Sequence, residues 1–138
     1  MVEYDLITYI EADSALDTLL SSTGSDTKIY PSKPPTGVTL PYILYFWGVG
    51  DQGDEMLDED RIQLTARAEE RTEATNIRDR LKVLLDKQDR IQDVTFATAS
   101  TTYHVYYCRF TGGDGFWEPE TEVWNSVLFF NIKYRKKD

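Results

Sequence analysis

One cysteine and one histidine are all that 138 residues contain of the two most versatile side chains in protein chemistry. Cys108 has no partner for an internal disulfide. A single thiol and a single imidazole are too few for a zinc centre, which is built from several such ligands. Cys108 lies in an aromatic, β-prone run, where a buried thiol behaves as a small hydrophobe. His104 precedes it at i, i+4, a spacing that does not bring side chains together on a strand, so a thiol–imidazole pair is not expected. Long apolar runs are missing as well. No segment approaches the ~18 uninterrupted apolar residues of a membrane span, and Met1-Val2-Glu3-Tyr4-Asp5 lacks the basic and apolar regions of a signal peptide. A soluble protein made in a cytoplasm, with no membrane association, is the expectation. Cations are scarce: 15 Lys and Arg against 24 Asp and Glu leave a net charge of −9. Affinity for nucleic acid rests mainly on cationic contacts to phosphate, so specific DNA binding is not expected.

Apolar material is plentiful. Hydrophobic residues make up 41% of the chain and aromatics 13%, enough for a packed interior and too much for a disordered segment. The length suits one domain, residues 1–138. From Tyr4 to Leu20, Leu6, Ile7, Ile10, Leu16, Leu19 and Leu20 recur near helical spacing, and Asp13 is placed to cap a second short turn from Ser14. Ile29-Tyr30-Pro31 and the proline-bearing Ser32 to Gly37 read as an extended surface connection, a loop. Leu40 to Trp47 reads as a strand, with Pro41 tolerated at its start. Gly48 to Asp60 is glycine-rich and acidic, and repulsion among its carboxylates predicts an extended, mobile loop. Arg61 to Ala68 alternates polar and apolar, a strand with one dry face. Thr72 is placed to cap a helix to about Lys87, with Ala74, Ile77, Leu81, Leu84 and Leu85 as its apolar stripe and Arg78, Asp79, Lys82 and Asp86 facing solvent. Val94–Ala97, Tyr103–Phe110 and Val123–Tyr134 read as strands, the last two joined by a glycine turn over 111–119, before a basic tail at 133–138. These elements predict an α+β fold: a single mixed, mainly antiparallel β-sheet with an N-terminal helix and one longer central helix packed against it.

Several motifs fail on their surroundings. Gly48-Val49-Gly50-Asp51-Gln52-Gly53 has the G-x-G-x-x-G spacing, but a dinucleotide site needs a helix N-terminus next, to hold the pyrophosphate. Here the chain continues through Asp54-Glu55-Met56-Leu57-Asp58-Glu59-Asp60 into a strand, piling carboxylates where the phosphates would sit. The same carboxylates miss the ligand spacing of an EF-hand loop. No nucleophile has a base beside it, and His104 reads as a half-buried sheet residue. No cofactor, metal or catalytic residue is predicted. What does stand out is aromatic residues at expected loops and edges: Trp47 at the base of the acidic loop, Phe116 and Trp117 within the glycine turn, and Trp124. Aromatics anchor protein interfaces because they bury much area at small entropic cost.

In order and spacing, Ile29-Tyr30-Pro31, Leu40-Pro41-Tyr42-Ile43-Leu44-Tyr45 and Ile62-Gln63-Leu64-Thr65-Ala66-Arg67-Ala68 resemble the tail completion, or tail terminator, proteins of long-tailed bacteriophages, and the resemblance spans nearly the whole chain. It implies a mixed sheet with helices against it, no catalysis, and a homohexameric ring that caps the tail tube and joins it to the head. The implied partners are further copies of the chain, the tail tube protein and a head-completion or connector protein, in the tail-neck region of a virion after assembly in the host cytoplasm. DNA would pass the lumen without specific binding, as like-charged walls allow. Candidate lumen or interface residues on this reading are Trp47, Asp51, Asp54, Glu55, Asp58 and Asp60 in the acidic loop, Phe116 and Trp117 in the turn, and the tail cations Arg135, Lys136 and Lys137.

Head-closure and other neck or minor tail proteins share this size and composition, and they form the nearest alternative reading. A monomeric ligand-binding or enzymatic α+β domain is the alternative from another class. A deep pocket with convergent polar groups would mark it.

Overall fold

The computed structural model describes residues 2–21, 27–49, 58–86, 94–97 and 102–136. The chain opens with two helices, α1 (Val2–Glu11) and α2 (Ser14–Leu20). Their break is made by Asp13, which is extended (φ −79°, ψ 115°) and accepts the Leu16 N–H on its carboxylate, satisfying one of the donors that a helix start leaves without a partner. Ser21, left-handed at φ 54°, ends α2 by donating its N–H to the carbonyls of Asp17 and Thr18. Asp13 also receives both ends of the Arg80 guanidinium, at 2.7 and 2.8 Å. One side chain thereby starts α2 and ties it to α3 (Arg71–Leu85).

Six strands form one sheet: β1 (Ile29–Pro31), β2 (Tyr42–Val49), β3 (Asp58–Ala68), β4 (Val94–Ala97), β5 (Thr102–Glu118) and β6 (Val123–Lys136). Their spatial order is β1-β2-β3-β6-β5-β4, with β1 parallel to β2 and every other neighbour antiparallel. This is the expected α+β architecture. The alternation in β3 fixes the register, because a slip of one residue would turn Ile62, Leu64 and Ala66 into water. Ile62 stands between Trp47 and Phe130, Leu64 between Tyr45 and Leu128, and Ala66 between Ile43 and Ser126. On this face Ile62, Leu64, Ala66, Leu128 and Phe130 are fully buried, together with Leu6 and Ile10 of α1, Leu16 and Leu20 of α2, and Ile77, Leu81 and Leu85 of α3. Truncating such a Leu or Ile to Ala typically costs about 2–5 kcal/mol.

Five expectations change. Ile29–Pro31 is a strand, not a loop: Ile29 is buried and pairs with Ile43. Pro31, as the last residue of a three-residue edge strand, breaks no ladder. Thr72 does not cap α3, because the chain leaves extended geometry two residues earlier than expected: Glu70 (φ −118°, ψ 145°) precedes the helix without a side-chain cap, and Thr72 falls inside the first turn. The acidic loop is shorter at both ends than 48–60, since Gly48 and Val49 complete β2 and Asp58–Asp60 begin β3. The glycine segment is not a turn: β5 runs through it to Glu118, paired with β6, after register shifts at Val105/Tyr107 and Phe110/Gly112. The reversal comes at 119–122, where Glu122 takes φ 56°. The basic tail is likewise strand as far as Lys136, with His104 opposite Arg135 and Tyr103 opposite Lys136. Cys108 is fully buried, and burial pushes its thiol up to about 12, so it is inert packing, as its setting in the sequence predicts.

Candidate interaction surface

The sheet has two unlike faces. Alternate residues of β3, β6 and β5 turn away from the helices and build a second face: Arg61, Gln63, Thr65 and Arg67 on β3 stand opposite Asn131, Phe129, Val127 and Asn125 on β6. Arg67 binds this face across strands. It donates to the Tyr42 hydroxyl (2.7 Å) and to Glu118 (2.9 Å), and its guanidinium lies over the Tyr42 ring. Thr121 donates to the same Glu118 carboxylate, so the β5–β6 reversal is anchored back to the middle of the sheet. Phe46 and Phe116, both on this face, are 39% and 44% exposed.

Trp117 points the other way, toward the helix side, and is 41% exposed. Its ring packs on Trp124 with centroids 5.1 Å apart, and Arg71 of α3 lies over Trp124 at 6.0 Å. Such a pair contributes about 0.5–1.5 kcal/mol beyond its buried area. Phe116 and Trp117 thus remain surface candidates, but on opposite faces of a strand and not in one turn.

The acidic candidates divide. Asp60 is 3% exposed, with Oδ2 accepting the Trp47 indole N–H at 2.8 Å and the Tyr134 hydroxyl at 2.9 Å. It is in phase with Ile62 and Leu64, so strand geometry carries it inward, and it belongs to the interior and not to a lumen or docking face. Trp47 is half-buried, packed against the core beside it. Asp58 pairs in backbone register with Tyr134 at the start of β3. Asp51, Asp54 and Glu55 lie outside the described residues, as does Lys137. Arg135 and Lys136 stand on β6, beside the part of β5 that pairs with β4.

A shallow trough between α3 and the glycine segment of β5 has no counterpart in the sequence reading. Arg71, Arg78, Gly115 and Trp124 line one depression of about 210 Å³. Arg78, Lys82, Phe110, Gly113 and Gly115 line a second of about 380 Å³. Arg78 and Gly115 belong to both, making the trough continuous. Its signal was present as Arg71, Arg78 and Lys82 at i, i+7 and i+11, one stripe of a helix, but what that stripe faces becomes visible only once the strand carrying the glycines is in place. Among the described residues, no three His, Cys, Asp or Glu side chains come together as a metal site would require, and no helix is long and apolar enough to cross a membrane.

No protein-family model matches the chain, and no curated protein does. Its fold is similar to that of a chain in the virion of a native gene transfer agent particle, with a TM-score of 0.72 and 12% identity over 94% of this chain and 91% of that one. At that identity the likeness is one of fold.

Proposed function

We propose that this chain is a structural protein of a phage-like virion, one that caps the tail tube as a ring and joins the tail to the head. The observation that carries the reading is the near full-length likeness to a virion chain: both proteins are covered almost end to end, so the whole fold corresponds and not one common motif within it. The order of the Tyr-Pro, Leu-Pro-Tyr-Ile and alternating-strand segments supports the tail-terminator assignment among virion proteins. Exposed Phe46, Phe116 and Trp117, on both faces of the sheet, supply the contact area that a subunit between two neighbours needs. A net charge of −9 suits a channel through which DNA slides without adhering. The role needs no catalysis, and its partners are further copies, the tube and the head.

Light scattering over a concentration series, with negative-stain images of the same samples, tests this reading. Closed rings of about six subunits that bind the ends of purified tail tubes are expected. A protein that stays monomeric and ignores tube ends, yet binds DNA-filled heads, would move it to the head-closure side of the neck.

A further inference from the structure

We infer that the depression between α3 and the β5–β6 hairpin binds a phosphate dianion, free or as a monoester, with Ser126 at its floor and Arg71, Thr75 and Arg78 along its helical wall. The inference does not depend on the role proposed above. It begins at a serine in a core position. Leu128, Phe130 and Ile132 are fully buried on the helix side of β6, and the next residue in phase with them is Ser126, only 5% exposed. Its hydroxyl has no hydrogen-bond partner among the described residues, and it lines the depression. Buried polar groups are satisfied in nearly every fold, so a hydroxyl set this deep and opening into a polar cavity points to a polar occupant.

Small residues make the space. Ser126 stands between Ala66 on β3 and Gly115 on β5, so three neighbouring strands present little side chain beneath α3. A Cβ on Gly115 would meet nothing nearer than 3.7 Å. On the wall, Arg71, Thr75 and Arg78 recur at i, i+4 and i+7, one stripe of the helix over about 10 Å. The enclosed volume, about 210 Å³, lies below the roughly 300–1,000 Å³ of sites for larger organic ligands and suits a small ion or a single group of a larger molecule.

Charge and donors select the ligand class. No Asp or Glu lines this depression. Arg71 is steered by lying over the Trp124 ring at 6.0 Å. Arg78 shares an exposed pair with its sequence neighbour Asp79 at 3.0 Å, a contact that water screens and that yields readily to a better partner. Two guanidiniums on one side and the Thr75 and Ser126 hydroxyls supply two positive charges and several N–H and O–H donors. A phosphate dianion matches them with nearly two charges and three strong acceptor oxygens. A carboxylate brings one charge in one plane, and a backbone phosphate of DNA brings one charge within a polyanion that a chain of net charge −9 repels.

Calorimetric titration of inorganic phosphate into the full chain, at an ionic strength held constant with chloride, tests this. Saturable binding of one phosphate per chain is expected. Ser126→Ala and Arg78→Gln should each weaken it by at least about tenfold, whereas Lys82→Gln, one turn beyond the depression, should change it by less than about twofold. Ser126→Ala should also melt no lower than the parent, because it removes a buried hydroxyl that the fold itself leaves without a partner. A parent without saturable binding, or a Ser126→Ala variant that binds phosphate as the parent does, overturns the site. Equal weakening in Lys82→Gln overturns it too, since the attraction would then belong to the basic wall as a whole. A short DNA duplex without terminal phosphates that binds more tightly than phosphate and displaces it would overturn it in favour of a backbone contact.

Discussion

Trp47 donates its indole N–H to Asp60 at 2.8 Å from the strand beside it, and the two residues stand where β2 and β3 diverge into the acidic segment. The fold encloses the Asp60 carboxylate, with Tyr134 as a second donor from β6. Two donors on one oxygen, from strands on either side of β3, lock three strands together at the end of the sheet from which the segment emerges.

Removing that acceptor leaves two polar groups in a nearly dry site. Asp60→Ala is expected to cost about 1–3 kcal/mol in chemical denaturation, more than Trp47→Phe or Tyr134→Phe alone, since each of those removes one donor and leaves the other in place. Equal losses in the three variants would mean that the carboxylate is held by water and not by these side chains.

The Asp13–Arg80 pair predicts a pH dependence. The Arg80 guanidinium holds the Asp13 carboxyl below its ordinary range, and the Leu16 N–H acts in the same direction. A carboxyl with a depressed folded-state pKa contributes stability that is present above its unfolded pKa, about 4, and is lost as pH falls through the lower folded value. Glu11 runs the other way: burial raises it, so its contribution is lost as pH rises through its folded value. Comparing the parent with Arg80→Met isolates the pair. The difference in melting temperature should be constant at neutral pH and shrink in acid below about pH 4; a difference that persists unchanged into strong acid would assign the loss to packing of the Arg80 stem.

Most of the fold could be read from residues whose local and global preferences agree. The alternation of β3, the stripe of α3 and the Asp13 cap each serve one role in the sequence and the same role in the structure. Where the reading went astray, a residue type favoured two outcomes. Glycines at 112, 113 and 115 are turn formers in isolation, yet β6 pairs with them and the strand continues. Ile29-Tyr30-Pro31 has a loop's proline, but its isoleucine is needed over the core. Thr72 can cap, but the backbone two residues earlier decides where the helix begins.

The surface was harder to read than the core, because exposure depends on strand phase. Counting back from Ile62 by twos reaches Asp60, so its burial was within reach of the pattern, but the run of charges around it argued for water. Phe116 and Trp117 are exposed, but on a paired strand and not in the glycine turn expected of them. The basic wall of the trough was legible only as solvent-facing helix, since its opposite wall is a strand that follows well after the helix in sequence.

Gly113 shows how closely β5 and β6 approach beyond the second register shift. A Cβ added there would lie 2.3 Å from the Val127 carbonyl oxygen, which is backbone in the middle of β6 and has no room to retreat. At Gly115 the nearest atom, the Asn125 carbonyl oxygen, is 3.7 Å away, an ordinary contact. Gly113→Ala should therefore push the two strands apart and cost about 2 kcal/mol or more, whereas Gly115→Ala should stay within about 0.5 kcal/mol of the parent. Thermal melting of the two variants side by side checks this. Because both substitutions add the same methyl to the same strand, general β-propensity cannot produce the contrast; equal melting temperatures would show that β5 moves away from β6 at no cost and that its glycines are not held by this pairing.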